Sequence, residues 1–360
     1  MFDSASLERL QAIGLTPQIL NRLASLAPTA AQTSLFRVIE VQREGLVLHD
    51  GDNERHARAL PALTSGLIAQ SDPIAVGDWV LADRNEFGEW WAHARLPPIT
   101  QIARRQHDGR DKVTRVVIVS NVDTALLAMG LDNDYSLRRL ERYLALARLA
   151  EVSAVVVLTK ADLCPQAAAR RREVEGIVPA GVAVVAVNAL GDEPGRLLAP
   201  WLGAGQTLVL LGSSGVGKST LTNALVGRDV QAIGGNRLGD GRGRHTTTAR
   251  SLHFALGGAC IIDTPGLRTL RLDGEAGDIA GVFDDIATLA PACRFRDCRH
   301  EHEPGCAVRD GVPPERLRSF QKLLREARRD TLSALQRQEQ VSVWKARGRA
   351  ARVNLKAKRG

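Results

Sequence analysis

The spacing of apolar side chains changes character several times along the chain. Residues 1–32 place them at helical intervals, which predicts one or two short amphipathic helices with Thr16-Pro17 as a helix start. From Ser34 to about Arg105 the period shortens to two. Leu35–Val41, Gly45–His49, Arg58–Leu60, Gly77–Leu81 and Glu89–His93 read as short strands between turn residues, and together they predict a small β-barrel. Beyond it come unbroken apolar runs at Arg115–Ser120, Thr124–Met129, Val152–Leu158, Val182–Val187, Thr207–Leu211 and Ala259–Ile262, alternating with helical patterns such as Leu137–Ala150. That alternation predicts an α/β domain with a mostly parallel sheet and a ligand site at the carboxyl ends of its strands. A charged helical pattern over Pro313–Gln340 follows. The expected division is a helical extension (1–32), a barrel (33–105), the α/β domain (106–275), a smaller helical module (276–340) and a tail (341–360).

The junction after Thr207–Leu211 carries the sharpest chemistry. Gly212-Ser213-Ser214-Gly215-Val216-Gly217-Lys218-Ser219 fits G-x-x-x-x-G-K-[ST], with Thr220 and a helical run, Leu221–Val226, behind it. A glycine-rich turn from strand to helix lets backbone N–H groups and the positive helix end cradle a phosphate. Lys218 is then expected to reach the β- and γ-phosphates, and the Ser219 hydroxyl to ligate Mg²⁺. Asp263-Thr264-Pro265-Gly266 supplies D-x-x-G, in which Asp263 holds Mg²⁺ through water and the Gly266 N–H reads the γ-phosphate. Between these motifs, Gly241–Thr248 is a glycine-rich switch, and Thr247 is expected to ligate Mg²⁺ in preference to Thr246 or Thr248. Leu267 stands where many GTPases carry a water-orienting Gln, so His245 becomes the polar candidate for that work; it either positions water or only shapes the loop.

The base-reading motifs come earlier in the chain. Thr159-Lys160-Ala161-Asp162 is similar to N-K-x-D, whose aspartate accepts both the N1–H and the N2 amino group of guanine, a donor pair that adenine lacks. Asn188-Ala189-Leu190 occupies the place of the S-A-K/L loop behind the guanine O6. Thr159 and Asn188 depart from the usual Asn and Ser, so modest guanine affinity with an intact base preference is expected. Guanine motifs ahead of phosphate motifs are the mark of a circularly permuted GTPase.

Charge and cysteines add two elements. The net charge of +8 is uneven: residues 341–360 hold seven basic side chains and no acid, leaving +1 for the other 340 residues. A near-neutral body with a basic tail suits RNA phosphates, although a solvated tail has the same composition. No apolar run approaches the ~20 residues of a membrane span, and the first residues do not form a secretion signal; a cytoplasmic, monomeric protein with no membrane partner is expected. Five cysteines in such a chain argue against disulfides. Cys293, Cys298, His300 and Cys306 fall within fourteen residues and make a closed tetrahedral set for structural zinc. Arg294, Arg296 and Arg299, interleaved with them, give the module an RNA-compatible charge. Cys260 reads as a small core residue, and Trp79, Trp90 and Trp91 as core or as base-stacking platforms.

The phosphate loop, Arg244-His245-Thr246-Thr247-Thr248, Asp263–Gly266 and the cysteine cluster, in this order over roughly residues 33–335, resemble the bacterial ribosome small-subunit-dependent GTPase A family (RsgA, also called YjeQ). The resemblance implies an oligonucleotide-binding (OB) fold for the barrel, with Gly77-Asp78-Trp79-Val80 matching its G-D-x-V turn, and His300 rather than His302 as the zinc ligand. It further implies a GTP hydrolase that uses GTP/GDP, Mg²⁺ and Zn²⁺, binds the small (30S) ribosomal subunit and its rRNA, assists late maturation and is stimulated by the subunit. Two other classes stay open: a metabolic P-loop kinase, which has no use for a guanine motif, and a GTP-binding RNA module without turnover.

Overall fold

The computed structural model describes residues 3–24, 33–107, 113–228, 230, 250–265, 272, 279 and 281–331. Chain contacts divide it into two compact units, Met1–Arg104 with Arg115–Leu270, and Arg105–Thr114 with Arg271–Gly360.

The first unit starts with two short helices, α1 (Ser4–Ala12) and α2 (Pro17–Ala24). Asp3 caps the first by accepting from the Ser6 N–H (2.7 Å), and Thr16 Oγ1 accepts from the Ile19 N–H (3.3 Å), so the expected Thr16-Pro17 start is the observed one. β1 (Ser34–Val41), β2 (Leu46–His49), β3 (Glu54–Ala59), β4 (Trp79–Arg84) and β5 (Trp90–Arg95) close a five-stranded, OB-like barrel in the order β1-β2-β3-β5-β4-β1. Period-two alternation turns Phe36, Val38, Leu48, Val80 and Ala92 into its core. A helix that the spacing does not predict, α3 (Pro61–Ala69), follows β3 and buries none of its residues fully, so it left no apolar stripe to read.

The barrel sheet runs on into the α/β sheet, because β1 also pairs antiparallel with β12 (Ser251–Phe254) at Glu40 and Ser251. On the far side of β12 lie β13 (Cys260–Asp263), β11 (Thr207–Leu211), β8 (Thr124–Gly130), β9 (Ser153–Thr159) and β10 (Ala183–Ala186), all mutually parallel, in the order β10-β9-β8-β11-β13-β12. The mostly parallel sheet is therefore as expected, with one correction. Arg115–Ser120 belongs to β7 (Val113–Ser120), which pairs with β6 (Gln101–His107) in a separate two-stranded sheet. The strand just before it supplies its ladder, and Asn121, at φ 52°, turns the chain away into β8. Helices α4 (Leu137–Leu149), α5 (Ala167–Glu175), α6 (Glu193–Leu197) and α7 (Lys218–Val226) connect the parallel strands. Leu208, Leu210, Leu221, Leu225 and Ile261 pack into one core beneath α7, each contributing roughly 2 kcal/mol by leaving water.

Arg37 joins the parts of this unit. It is wholly buried, donates to the Ile13 carbonyl after α1, to the Asn121 carbonyl before β8 (3.1 Å) and to Thr207 Oγ1 at the start of β11 (2.9 Å), and lies over the Trp79 ring at 5.6 Å. Burial lowers its pKa, opposed by the Cys260 thiol and by Asp123 and Asp78.

The second unit holds α8 (Asp284–Leu289), α9 (Ala307–Gly311) and the long α10 (Pro314–Thr331). Phe320 of α10 meets Phe283 edge-on at 5.2 Å, Arg316 grips Asp285 through two nitrogens (2.5 and 2.8 Å), and Gln321 donates to the His300 carbonyl (2.7 Å). The charged helix thus packs on the cysteine-bearing loop, as its amphipathic pattern implies. No helix among the described residues is long and apolar enough to cross a membrane.

Candidate functional site

Five parallel strands put their carboxyl ends on one edge, and the chain order 10-9-8 then 11-13 reverses between β8 and β11. Open α/β sheets bind ligands at such a reversal. The phosphate loop leaves β11 there. Gly212 is required because a Cβ at that position would stand 2.7 Å from the Ala128 carbonyl, and Gly217 because it opens α7 at φ 99°. Ser214 and Gly215 are exposed, Ser213, Ser219 and Thr220 half-buried, and Val216 is buried as the loop's hydrophobic anchor.

Lys218 is buried, and its ammonium donates to the Gly212 (3.1 Å) and Ser213 (2.8 Å) carbonyls. Burial lowers its pKa, while the charges of Asp263 and Asp134 oppose the shift. Asp263 ends β13; burial pushes its carboxyl up to about 6 against the pull of Lys218 and the Thr264 N–H. Its Oδ1 has no hydrogen-bond partner among the described residues. A buried carboxylate oxygen left open beside a phosphate loop fits the hard, oxygen-ligated shell of Mg²⁺. The following Thr264 donates to the Leu210 carbonyl (2.6 Å), which fixes the start of the D-x-x-G turn against β11.

The two motifs expected to read the base follow β9 and β10. Thr159 is buried and donates to the Val216 carbonyl (2.6 Å), so the hydroxyl ties this motif to the phosphate loop where an Asn amide was expected to be missed. Lys160, at φ 59°, donates to the Gly215 carbonyl (2.8 Å) and to Asp132 Oδ2 (2.6 Å). Ala161 donates to the Val187 carbonyl (3.3 Å), and Asp162 stands exposed with its carboxylate in the open. Asn188 Oδ1 accepts from the Leu190 N–H (3.0 Å) and its own N–H is taken by Glu193 (2.9 Å), so Asn supports this turn as a Ser hydroxyl would, with Ala189 buried at its centre.

Asp132, Asp134 and Arg139 border the site without having been singled out from the sequence. The available signal was an acidic Asp132-Asn133-Asp134 turn at the carboxyl end of a buried strand. His245, Thr246, Thr247, Thr248, Gly266, Leu267, the Gly234–Arg244 stretch and the tail 341–360 lie outside the described residues.

The second unit carries the metal-ligand set. One ligand atom from each of Cys293, Cys298, His300 and Cys306 lies within 4.8 Å of the others. Cys293 Sγ is 3.6 Å from His300 Nδ1 and 3.9 Å from Cys306 Sγ, and His300 Nδ1 is 3.4 Å from Cys306 Sγ. Ligands at ~2.0–2.3 Å around a tetrahedral zinc stand about 3.5–4 Å apart, so the set fits Zn²⁺. Glu303 accepts from the N–H groups of Arg299 (2.9 Å), Glu301 (2.9 Å) and His302 (3.1 Å); these bonds, that of Arg299 foremost, hold its carboxyl at about 2 and shape the loop between two ligands. Arg294, Arg296 and Arg299 are exposed around it.

On the barrel, Trp79 is wholly buried and belongs to the core, whereas Trp90 and Trp91 are half-exposed beneath the guanidinium groups of Arg84 (5.8 Å) and Arg58 (5.9 Å). Asp78 is buried; its carboxyl accepts from the Ala75 N–H (2.8 Å) and lies 3.6 Å from Arg95.

A sequence model of the RsgA GTPase family matches residues 98–273. The chain is 41% identical over 300 residues to the small ribosomal subunit biogenesis GTPase RsgA 2 of Vibrio vulnificus, covering 82% of this chain and 81% of that one. It is 41% identical over 323 residues to the small ribosomal subunit biogenesis GTPase RsgA of Xylella fastidiosa strain M23, covering 87% and 95%. Among solved structures, YjeQ from Thermotoga maritima shares the fold at a TM-score of 0.58 and 23% identity, covering 82% of this chain and 98% of that one. YloQ, described as a circularly permuted GTPase, shares it at 0.57 and 19%, covering 86% and 100%.

Proposed function

Since this chain belongs to the RsgA family of small ribosomal subunit biogenesis GTPases, we propose that it hydrolyses GTP in the service of small-subunit maturation, with a turnover that the subunit accelerates. The observation that carries the reading is the triple tie at the phosphate loop: Thr159 to Val216, Lys160 to Gly215, and Lys218 to Gly212 and Ser213. The Thr159 and Lys160 bonds hold the guanine motif against the phosphate loop, which supports a site that reads base and phosphates together.

In this reading Asp162 accepts the guanine N1–H and N2 amino group, and the Ala189 turn backs O6. The N–H groups of Gly212 to Ser219 cradle the phosphates, and Lys218 moves from the loop carbonyls onto the β- and γ-oxygens. Ser219, Asp263 and Thr247 would hold Mg²⁺, directly or through water, and the ion would supply positive charge to the β- and γ-phosphates. Gly266 and His245 serve the γ-phosphate and the attacking water. Cys293, Cys298, His300 and Cys306 hold a structural zinc.

The remaining parts follow from charge. The OB-like barrel (33–105), with Arg58 and Trp91 on the outer side of its strands and Arg84 over the core-packed Trp90, and the zinc module (276–340), which flank the permuted GTPase domain (106–275) in sequence, contact rRNA, and the tail (341–360) adds phosphate contacts. The protein acts as a monomer in the cytoplasm. The experiment is the GTP turnover rate with and without purified small subunits. Stimulation of at least tenfold is expected, since ordering a switch by a partner lowers the barrier by about 1.4 kcal/mol per decade. Equal rates across a range of salt would sink the reading.

A further inference from the structure

The turn after β8 stands opposite the phosphate loop across the chain reversal, and its side chains are engaged on both flanks. On one flank, Arg170 of α5 donates to the Leu131 carbonyl (2.8 Å) and stacks on the Tyr135 ring (4.7 Å), and the Tyr135 hydroxyl donates to Glu173 (2.6 Å). On the other, Asp134 accepts from the Ser213 hydroxyl (2.5 Å) and is paired with Arg139, which also donates to Ser213 Oγ (2.9 Å). Ser213 is the same residue whose carbonyl receives Lys218. A turn braced on α5 thereby reaches into the phosphate loop at the peptide that parks the essential lysine.

We propose that Asp134 and Arg139 form a positioning clamp that sets the phosphate loop for nucleotide binding through the Ser213 hydroxyl. A loop held in its binding shape pays less ordering entropy when phosphates arrive, so fixing it raises affinity. The carboxylate alone would work against an incoming anion, but Arg139 cancels its charge while sharing its hydrogen bond, so the pair holds Ser213 at little electrostatic cost. The clamp acts through Ser213 of the phosphate loop, whereas base recognition is assigned to Asp162 on another loop. It rests on the reading of Gly212–Ser219 as a GTP site.

The test compares the full-length wild type with Ser213→Ala, Asp134→Asn and the double variant, measuring affinity for GDP, for a non-hydrolysable GTP analogue and for the matching ATP analogue. Wild-type binding of GTP analogue and GDP establishes the site itself; its failure would overturn the site reading, separately from the clamp. Each single variant is expected to weaken GDP and GTP-analogue binding by about tenfold, the scale of one hydrogen bond to a charged group. The double variant should be no weaker than Ser213→Ala alone, since that substitution already removes the hydroxyl through which Asp134 and Arg139 act. The preference for guanine over adenine should stay at the wild-type ratio, which a general loosening of the fold would erode. Ser213→Ala removes one half-buried hydroxyl and keeps the test alive if Asp134→Asn fails to fold. Wild-type affinity in Ser213→Ala, losses that multiply in the double variant, or tighter binding in Asp134→Asn would each overturn the clamp, the last by showing that the carboxylate acts as a brake on the anion.

Discussion

The nucleotide edge and the cysteine module reach order by opposite means. The phosphate loop rises from a strand whose five residues are all buried, and it is tied by side chains from the guanine motif, from the turn after β8 and from its own lysine. Its shape is over-determined: many small contributions, none indispensable to the fold. Among the described residues the loop from Cys293 to Cys306 contains no strand, and it relies on four ligands, a Glu303 staple and the hydrogen bond from Gln321 of α10 to the His300 carbonyl. Redundant packing tolerates the loss of one tie, whereas a metal-centred loop concentrates its stability in one bond set.

The largest effect should therefore come from the metal. Zinc binding contributes about 10–16 kcal/mol in small structural sites, so chelation or Cys298→Ser should unfold the 281–331 region while GTP binding stays within a few-fold of wild type. Metal analysis should give one zinc per chain, and loss of hydrogen-exchange protection confined to 281–331 checks the rest. Co-unfolding of the nucleotide edge would break the contrast.

Next in size is Lys218→Ala. Its removal should lower turnover by at least about 10³-fold, roughly 4 kcal/mol, with or without small subunits, and leave the melting temperature unchanged or raised, because a buried ammonium is removed. Single-turnover kinetics read the first and calorimetry the second.

Asp162→Asn sharpens the point that base reading is separable from fold. The exposed carboxylate bears no structural load, so the variant should fold normally, lose its guanine preference by about 10²-fold, on the order of 3 kcal/mol, and gain xanthosine triphosphate, which offers an acceptor where guanine has a donor. Competition binding decides it; a preference for GTP at the wild-type margin would move the guanine site elsewhere.

The smallest expected change lies in the barrel. Burial pushes the Asp78 carboxyl up to about 6, against the pull of Arg95, the Ala75 N–H and Ser120, while the nearby Asp72 carboxylate pushes it further up. A carboxyl with a folded pKa above its unfolded value of about 3.9 is protonated more readily in the native state, so its contribution favours folding at low pH and is lost as pH rises through about 4 to 6. Asp78→Asn abolishes that dependence. Relative to wild type, the variant should gain on the order of 2 kcal/mol between pH 4 and pH 7, read from denaturant melts at several pH values; a constant difference would mean that Asp78 is charged throughout.

What could be read beforehand follows from how local the information is. The phosphate loop and the four zinc ligands are contiguous, and their spacing alone determines their chemistry. The strands were legible wherever burial on both faces made an apolar run, as in Val155–Leu158. α3 was not, since it shows no buried stripe, and β7 was misassigned because an apolar run states that a strand is buried without naming its neighbour. Thr159 and Asn188 depart from the usual Asn and Ser, and the backbone groups that they bond in the loops were not readable from the sequence. Arg37, Asp134 and Arg139 act across 24 to 223 residues of sequence or between separate loops, and no local pattern marks them.

Arg37 also decides what kind of machine the first unit can be. With its guanidinium shared among the end of α1, the entry to β8 and the foot of β11, and with β1 paired to β12, the barrel is tied to the nucleotide fold at several points among the described residues. It is a handle and not an arm. Whatever grips the barrel also holds the amino ends of β8 and β11, so the aim of the barrel is passed directly to the sheet whose opposite edge carries the phosphate loop.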